Sequence, residues 1–139
     1  MVLYVRQPLE SMAAHLEGHP ALEEVRSLDA EAMDAAERLA PEGAQYARQA
    51  GLVAVPRVAT SFSAVAETIV AAADELDAAL IVLGSRGRHG IALLLLGSVS
   101  HVVVHHTRRL TLVVPSTKLA EARRVLADAD DGRPEAVAA

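Results

Sequence analysis

Val2-Leu3-Tyr4-Val5 is a short β-favouring run, and Pro8 closes it because proline cannot continue a hydrogen-bonded ladder. A strand ending in a loop is predicted. From Pro20 the apolar residues Leu22, Val25 and Leu28, then Met33, Ala36 and Leu39, recur at roughly helical spacing among acids and arginines. A long amphipathic helix follows, with Pro41 expected to break or kink it before a second stretch through Tyr46. Gly51 stands where a left-handed C-terminal cap is expected. Val53 to Val58 reads as a strand, and Pro56 inside it suggests an edge position. Ser61 or Ser63 can cap the next helix, whose stripe Val65, Ile69, Ala73 and Leu76 keeps the 3.6 period and ends near Asp77.

Ala79-Leu80-Ile81-Val82-Leu83 is a continuous apolar run too short for a helix and bounded by glycine, as expected of a parallel strand covered on both faces. Residues 84–97 form a loop that turns apolar from Ile91 to Leu96. Ser98 to His106 then looks helical, with Val99, Val102 and Val103 inward, and Leu110 to Val114, closed by Pro115, is the last strand. Residues 117–139 hold one further helical stretch, Leu119 to Ala127, then a polar run from Asp128 to Pro134 and an end expected to fray. Strands and helices alternate throughout residues 1–116, which predicts one α/β domain: an open parallel sheet with right-handed crossovers and helices on both faces, followed by a tail over 117–139.

Composition narrows the class. The 139 residues are 52% hydrophobic with only three aromatic residues (Tyr4, Tyr46, Phe62), so the core is built from Val, Leu, Ile and Ala. A net charge of −5 argues against a nucleic-acid or anionic-membrane partner, since both select a positive face. The absence of cysteine removes thiolate chemistry and any Cys-based zinc site. No signal-peptide pattern and no run of about 20 apolar residues is present, so a cytoplasmic location is expected.

The chemistry concentrates in Gly84-Ser85-Arg86-Gly87-Arg88-His89-Gly90, then Ile91 to Leu96, then Gly97-Ser98, a spacing of G-x2-G-x9-G-S. Gly84 and Gly87 allow a sharp turn at a strand's carboxyl end and leave backbone N–H groups unobstructed by a Cβ. Gly97 and Ser98 open the next helix, where free N–H groups and the helix dipole attract an anion and the hydroxyl adds a hydrogen bond. In an open α/β sheet the crevice at the strand ends is the expected ligand position. The loop is neither G-x-G-x-x-G nor a P-loop, and no Lys-Ser or Lys-Thr pair follows to hold magnesium. Binding of phosphates, rather than fast phosphoryl transfer, is the better reading.

The run ADELDAALIVLGSRGRHGIALLLLGSVSHVVVHHTRRLTLVVPS, residues 73–116, resembles the C-terminal half of the universal stress protein family, nucleotide-binding branch, and the likeness reaches back more weakly to VLYVRQP. The resemblance implies a flavodoxin-like or Rossmann-like parallel sheet, a role in stress responses, and ATP (or ADP or AMP) as ligand, with magnesium entering, if at all, together with the nucleotide. It implies that Gly84, Gly87, Gly97 and Ser98 hold phosphates, that Leu83 and Val99 flank the same site, and that Val5 lies beside adenine. It also implies a homodimer through the edge Leu110–Val114. One departure is large. The family opens with a strand of the type ILVAVDGS, a helix, and a strand-end aspartate, and nothing in this sequence matches them. In the family's order, 3-2-1-4-5, that strand lies mid-sheet, so Val2–Val5 is expected either to pair directly with Leu80–Leu83 or to accept a strand from elsewhere, and the nucleotide site is expected to be incomplete.

Other candidates are weaker. His101 and His105, and His15 and His19, are four apart and could face one metal, but no third ligand is evident and no metal site is assigned. Arg86, Arg88, Arg108 and Arg109 flank the loop in sequence and could pair with phosphate or simply be solvated. Glu10 with Ser11, Asp74 with Asp77, and Asp128, Asp130 and Asp131 read as solvent-facing, and no catalytic residue is assigned. Two rival functions remain: a nucleotide-free interaction module of the same fold, which the absent first strand favours, and a weak ATP-hydrolysing or adenylating enzyme.

Overall fold

The computed structural model of the protein describes residues 1–9, 15–85, 98–117, 120, 121, 124 and 125. The chain divides into two compact units, Met1–Asp77 and Ala78–Ala139. In the first, strand β1 (Val2–Arg6) leads to helix α1 (Ala21–Gln49), strand β2 (Pro56–Thr60) and helix α2 (Val65–Glu75). In the second, strand β3 (Leu80–Gly84) leads to helix α3 (Ser98–His106) and strand β4 (Leu110–Val114).

β1 and β2 pair in parallel with Val2 opposite Pro56 and Arg6 opposite Thr60. Such a pair needs a crossover, and α1 supplies it by packing on both strands. A Cβ built on Gly43 of α1 would lie 3.1 Å from Val2 Cγ1, and Arg6 bonds to Asp29 on the same helix, so the face of β1 carrying Val2 and Arg6 lies against α1. The buried residues of α1 are Val25, Ala36, Ala40 and Ala44, whereas Leu28 and Met33, expected inward, are exposed. Alanines let the helix sit close to the strands, and the larger side chains turn outward.

Pro41 does not break α1, which runs unbroken from Ala21 to Gln49. Pro41 and Glu37 both lie on the exposed side, so the Glu37 carbonyl that loses its N–H partner faces water. The helix ends in a Schellman motif: Leu52 N–H donates to the Ala47 carbonyl at 3.0 Å, Gly51 N–H to that of Arg48 at 2.9 Å, and Gly51 takes φ +84°. The Arg48 side chain then grips the Ala54 carbonyl through Nε at 2.9 Å and Nη2 at 2.6 Å, turning the chain toward β2. At the other end His19 accepts the Ala21 N–H on Nδ1 at 3.1 Å, so this histidine finishes a helix.

Three further expectations are corrected. β2 begins at Pro56, a first-residue position that proline tolerates, instead of at Val53, which is 97% exposed. Neither Ser61 nor Ser63 caps α2, whose N-cap is Ala64; Ser63 Oγ instead donates to the Glu67 carboxylate at 2.9 Å. The buried side of α2 is Ala66, Ala72 and Ala73, with Leu76 exposed.

β3 and β4 pair in parallel with Leu80 opposite Leu110 and Gly84 opposite Val114. Val103 of α3 is fully buried and Ile81 of β3 nearly so. α3 turns Ser100 and Val103 inward and leaves Val99 exposed, contrary to the expected Val99 stripe. Within β3, Leu80 and Val82 are exposed. Among the described residues the strands form two two-stranded parallel sheets, β1-β2 and β3-β4, and the direct pairing of β1 with Leu80–Leu83 is not among their ladders. Beyond β4, residues 117, 120, 121, 124 and 125 are helical, and Ala120 N–H donates to the Ser116 carbonyl at 2.9 Å. The other positions of the expected Leu119–Ala127 helix, apart from 120, 121, 124 and 125, lie outside the described residues, as does everything from 126 onward.

A buried arginine ties β1 to α1 in the first unit. Arg6 is buried; its Nη2 lies 3.3 Å from Asp29 Oδ2, and its Nη1 donates to the Asp29 carbonyl at 3.3 Å. Asp29 Oδ1 also accepts the Leu9 N–H at 2.8 Å. That backbone bond, followed by the Arg6 bond and charge, outweighs burial and holds the Asp29 carboxyl below the usual aspartate range. The unfolded chain then binds more protons than the native one just below the ordinary aspartate pKa of about 3.9, so stability rises with pH there. Its contribution is complete above that value and lost as pH falls through the lowered native pKa. Thermal melts of the protein and of Asp29→Asn against pH should therefore converge in strong acid and separate toward neutrality. Asp29→Ala, which strands a buried guanidinium and the Leu9 N–H, should cost about 2–4 kcal/mol by urea denaturation. Gly51→Ala, forcing a Cβ into the left-handed region, should cost about 1–2 kcal/mol in the same assay.

Candidate functional site

The second unit carries the glycine-bearing segment between β3 and α3. Leu83 and Gly84 end the strand, and Ser85 extends the ladder by one bond, donating its N–H to the Val114 carbonyl at 2.7 Å. The Ser85 carbonyl in turn accepts the Ser100 hydroxyl at 3.5 Å, and both serines are buried. The strand end and the first turn of the helix are thereby held together. Leu83, Gly84, Ser98 and Val99 belong to this junction. Gly87 and Gly97, with Arg86 and Arg88, lie outside the described residues.

Electrostatically the junction suits an anion. The first turn of α3 holds no acidic side chain, and its leading N–H groups have no partner within the helix. Ser98 and Val99 are exposed there, and Gly84 is exposed at the strand end. Ser85 Oγ is buried with no hydrogen-bond partner, a hydroxyl able to donate to an anionic oxygen or to its bound water. At the far end of α3, His106 Nδ1 lies 2.8 Å from the Val102 carbonyl, which fixes it as the protonated nitrogen.

Arg109 is not at this junction. Its Nη1 donates to the Ala78 carbonyl at 2.9 Å, so Arg109 fastens the opposite, amino-terminal ends of β3 and β4, and the exposed Arg108 precedes it. His101 and His105 do meet, with ring centroids 4.5 Å apart, but among the described residues no group of three or more metal-ligating side chains forms. Glu10, Ser11, Asp128, Asp130 and Asp131 lie outside the described residues.

Val5 belongs to the first unit. It is half-buried on β1, on the face opposite Val2 and Arg6. The carboxyl ends of this sheet repeat the device of the other: Ser61, one residue past β2, donates its N–H to the Arg6 carbonyl at 2.8 Å and buries a hydroxyl without a partner. Sequence reasoning missed Arg6, Asp29, Ser85 and Ser100. An arginine ending an apolar strand was one available signal. Asp29, four residues past the buried Val25, shares its helical face and was the other.

Among the described residues no helix is long and apolar enough to cross a membrane. No curated protein sequence matches the chain. Among solved structures, the hypothetical protein MJ0577, subject of a structure-based assignment of biochemical function, is similar with a TM-score of 0.63 at 22% identity, over 83% of this chain and 74% of that one. That likeness is one of fold, α/β with parallel strands. The family model of the universal stress protein family matches residues 1–115, from β1 through the end of β4. The chain belongs to the universal stress protein family.

Proposed function

We propose that the protein is a nucleotide-binding module of a stress response, taking ATP, ADP or AMP at the β3-α3 junction. The observation that carries this reading is the junction itself, where a buried, unpartnered Ser85 hydroxyl and an acid-free helix start are fastened together by the Ser100 bond. Gly84, Gly87, Gly97 and Ser98 are the phosphate contacts, because they combine main-chain access with a helix N-terminus. Leu83 and Val99 flank them, and Val5 is assigned to the adenine. When a magnesium ion accompanies the nucleotide, it offsets phosphate charge; no residue of this chain is assigned to hold it.

Binding and self-association, rather than turnover, constitute the activity, since the loop is not a P-loop and no Lys-Ser or Lys-Thr pair follows it to hold magnesium and the terminal phosphates. The protein acts in the cytoplasm as a homodimer contacting through Leu110–Val114. The alternative reading is a nucleotide-free interaction module of the same fold.

Two measurements decide between these readings. The first is calorimetric titration with ATP, together with mass spectrometry of any ligand that co-purifies. Gly97→Val should abolish whatever binding the parent shows while leaving circular dichroism unchanged, and unchanged affinity would remove the phosphate seat from this loop. The second compares the chain with a version extended at its N-terminus by a family-like first strand, aspartate and helix. Affinity should be weak or absent in the chain alone and at least about tenfold higher in the extended version, a gain of about 1.4 kcal/mol. Equal, tight binding by both would show that the added wall is unnecessary.

A further inference from the structure

We propose that His101 and His105 of α3 form a two-histidine chelate for a divalent transition-metal ion of the imidazole-preferring class: zinc, nickel or copper. The two residues stand four apart on one helix, so their side chains lie one above the other on the same side. The rings meet, with their centres 4.5 Å apart and their planes tilted by 59°. Both members belong to α3, so the pair is complete within a single helix of the second unit.

The separation is the one a chelate needs. A metal ion that holds a nitrogen of each ring at about 2.0–2.1 Å puts the ring centres roughly 4.5–5.2 Å apart, for coordination angles between about 90° and about 109°. The observed separation lies at the lower end of this range, so no backbone movement is required and the side-chain torsions aim the two lone pairs at one point.

Two other histidines are spent on the backbone. His19 accepts the Ala21 N–H, and His106 Nδ1 is tied to the Val102 carbonyl. Among the described residues neither His101 nor His105 has a hydrogen-bond or ion-pair partner, so the fold makes no claim on their ring nitrogens. Neutral imidazole is the commonest protein ligand for zinc, nickel and copper, whereas magnesium and calcium take oxygen, and this fixes the class of ion. Position along the helix favours a cation as well: His105 lies in the last turn of α3, where the final carbonyls carry the negative end of the helix dipole. With two protein ligands the ion fills its other positions with water, unlike a structural zinc centre closed by four side chains. Because the chelate forms only when both turns are helical, the ion stabilises the helix that carries the crossover from β3 to β4. The site stands apart from the nucleotide reading, which concerns the opposite end of α3.

Calorimetric titration of the untagged full chain with zinc, nickel and copper salts tests the proposal, with a magnesium salt as control. One ion should bind per chain, copper most tightly in keeping with the usual order of divalent ions, and magnesium should not compete. His101→Ala and His105→Ala should each raise the dissociation constant at least roughly tenfold, since losing even a partner behind the ligands costs that much. His106→Ala, which removes a ring tied to the backbone, should leave the affinity unchanged. The ion should raise the Tm of the parent, and both ligand variants should lose that rise, with circular dichroism checking that they fold. NMR of the imidazole ring signals reads the parent directly, where zinc should shift His101 and His105 first. No binding at millimolar metal, or unchanged affinity in both ligand variants, overturns the site. Half an ion per chain would place the metal between two copies and overturn a chelate closed within one helix.

Discussion

Parallel strands cannot be joined by a tight turn, and this constraint organises the molecule. Each pair needs a crossover that returns the chain to the same end of the sheet, and each unit supplies a helix for it: α1 between β1 and β2, α3 between β3 and β4. A crossover also fixes where chemistry can occur. It sends the chain out of the carboxyl end of a strand and into the amino end of a helix, placing spare N–H groups beside the strand termini. The serines that follow β2 and β3 stand at these exits, each adding one last ladder bond and each burying a hydroxyl without a partner.

The two units hold their crossovers by different means. In the first, a run of alanines and Gly43 brings α1 close to the strands, and the Arg6–Asp29 pair locks the strand's end to the helix. Removing one member of such a pair is costlier than never having had it, because the survivor stays buried and charged. In the second, the lock is lighter: a serine hydroxyl on a carbonyl at one end and Arg109 on the Ala78 carbonyl at the other.

Much of this was legible in the sequence. The apolar run at Leu80–Leu83, the glycine cap at Gly51 and the alternation of strand and helix each follow from a local rule that tertiary packing did not override. What failed depended on partners distant in the chain. Leu28 and Met33 carry the right hydrophobicity for an inward stripe, but the strands approach α1 too closely for them, and alanines take the inner positions. Pro41 breaks no helix because its orphaned carbonyl faces water, and periodicity alone does not reveal which side is wet. At the candidate site, the glycine spacing marked the loop, whereas the serine clasp behind it depends on the distance between Ser85 and Ser100, fixed only once the helix has docked.

The two crossovers differ in span: β1 meets its partner with Val2 opposite Pro56, β3 with Leu80 opposite Leu110. The first closes a loop nearly twice as long as the second, and each doubling of loop length costs about 0.6 kcal/mol of closure entropy. During synthesis the first unit is complete before the second has left the ribosome, yet its strands have farther to search. The later-made unit is the quicker to close, so the order in which the chain is made and the ease with which its parts form run in opposite directions.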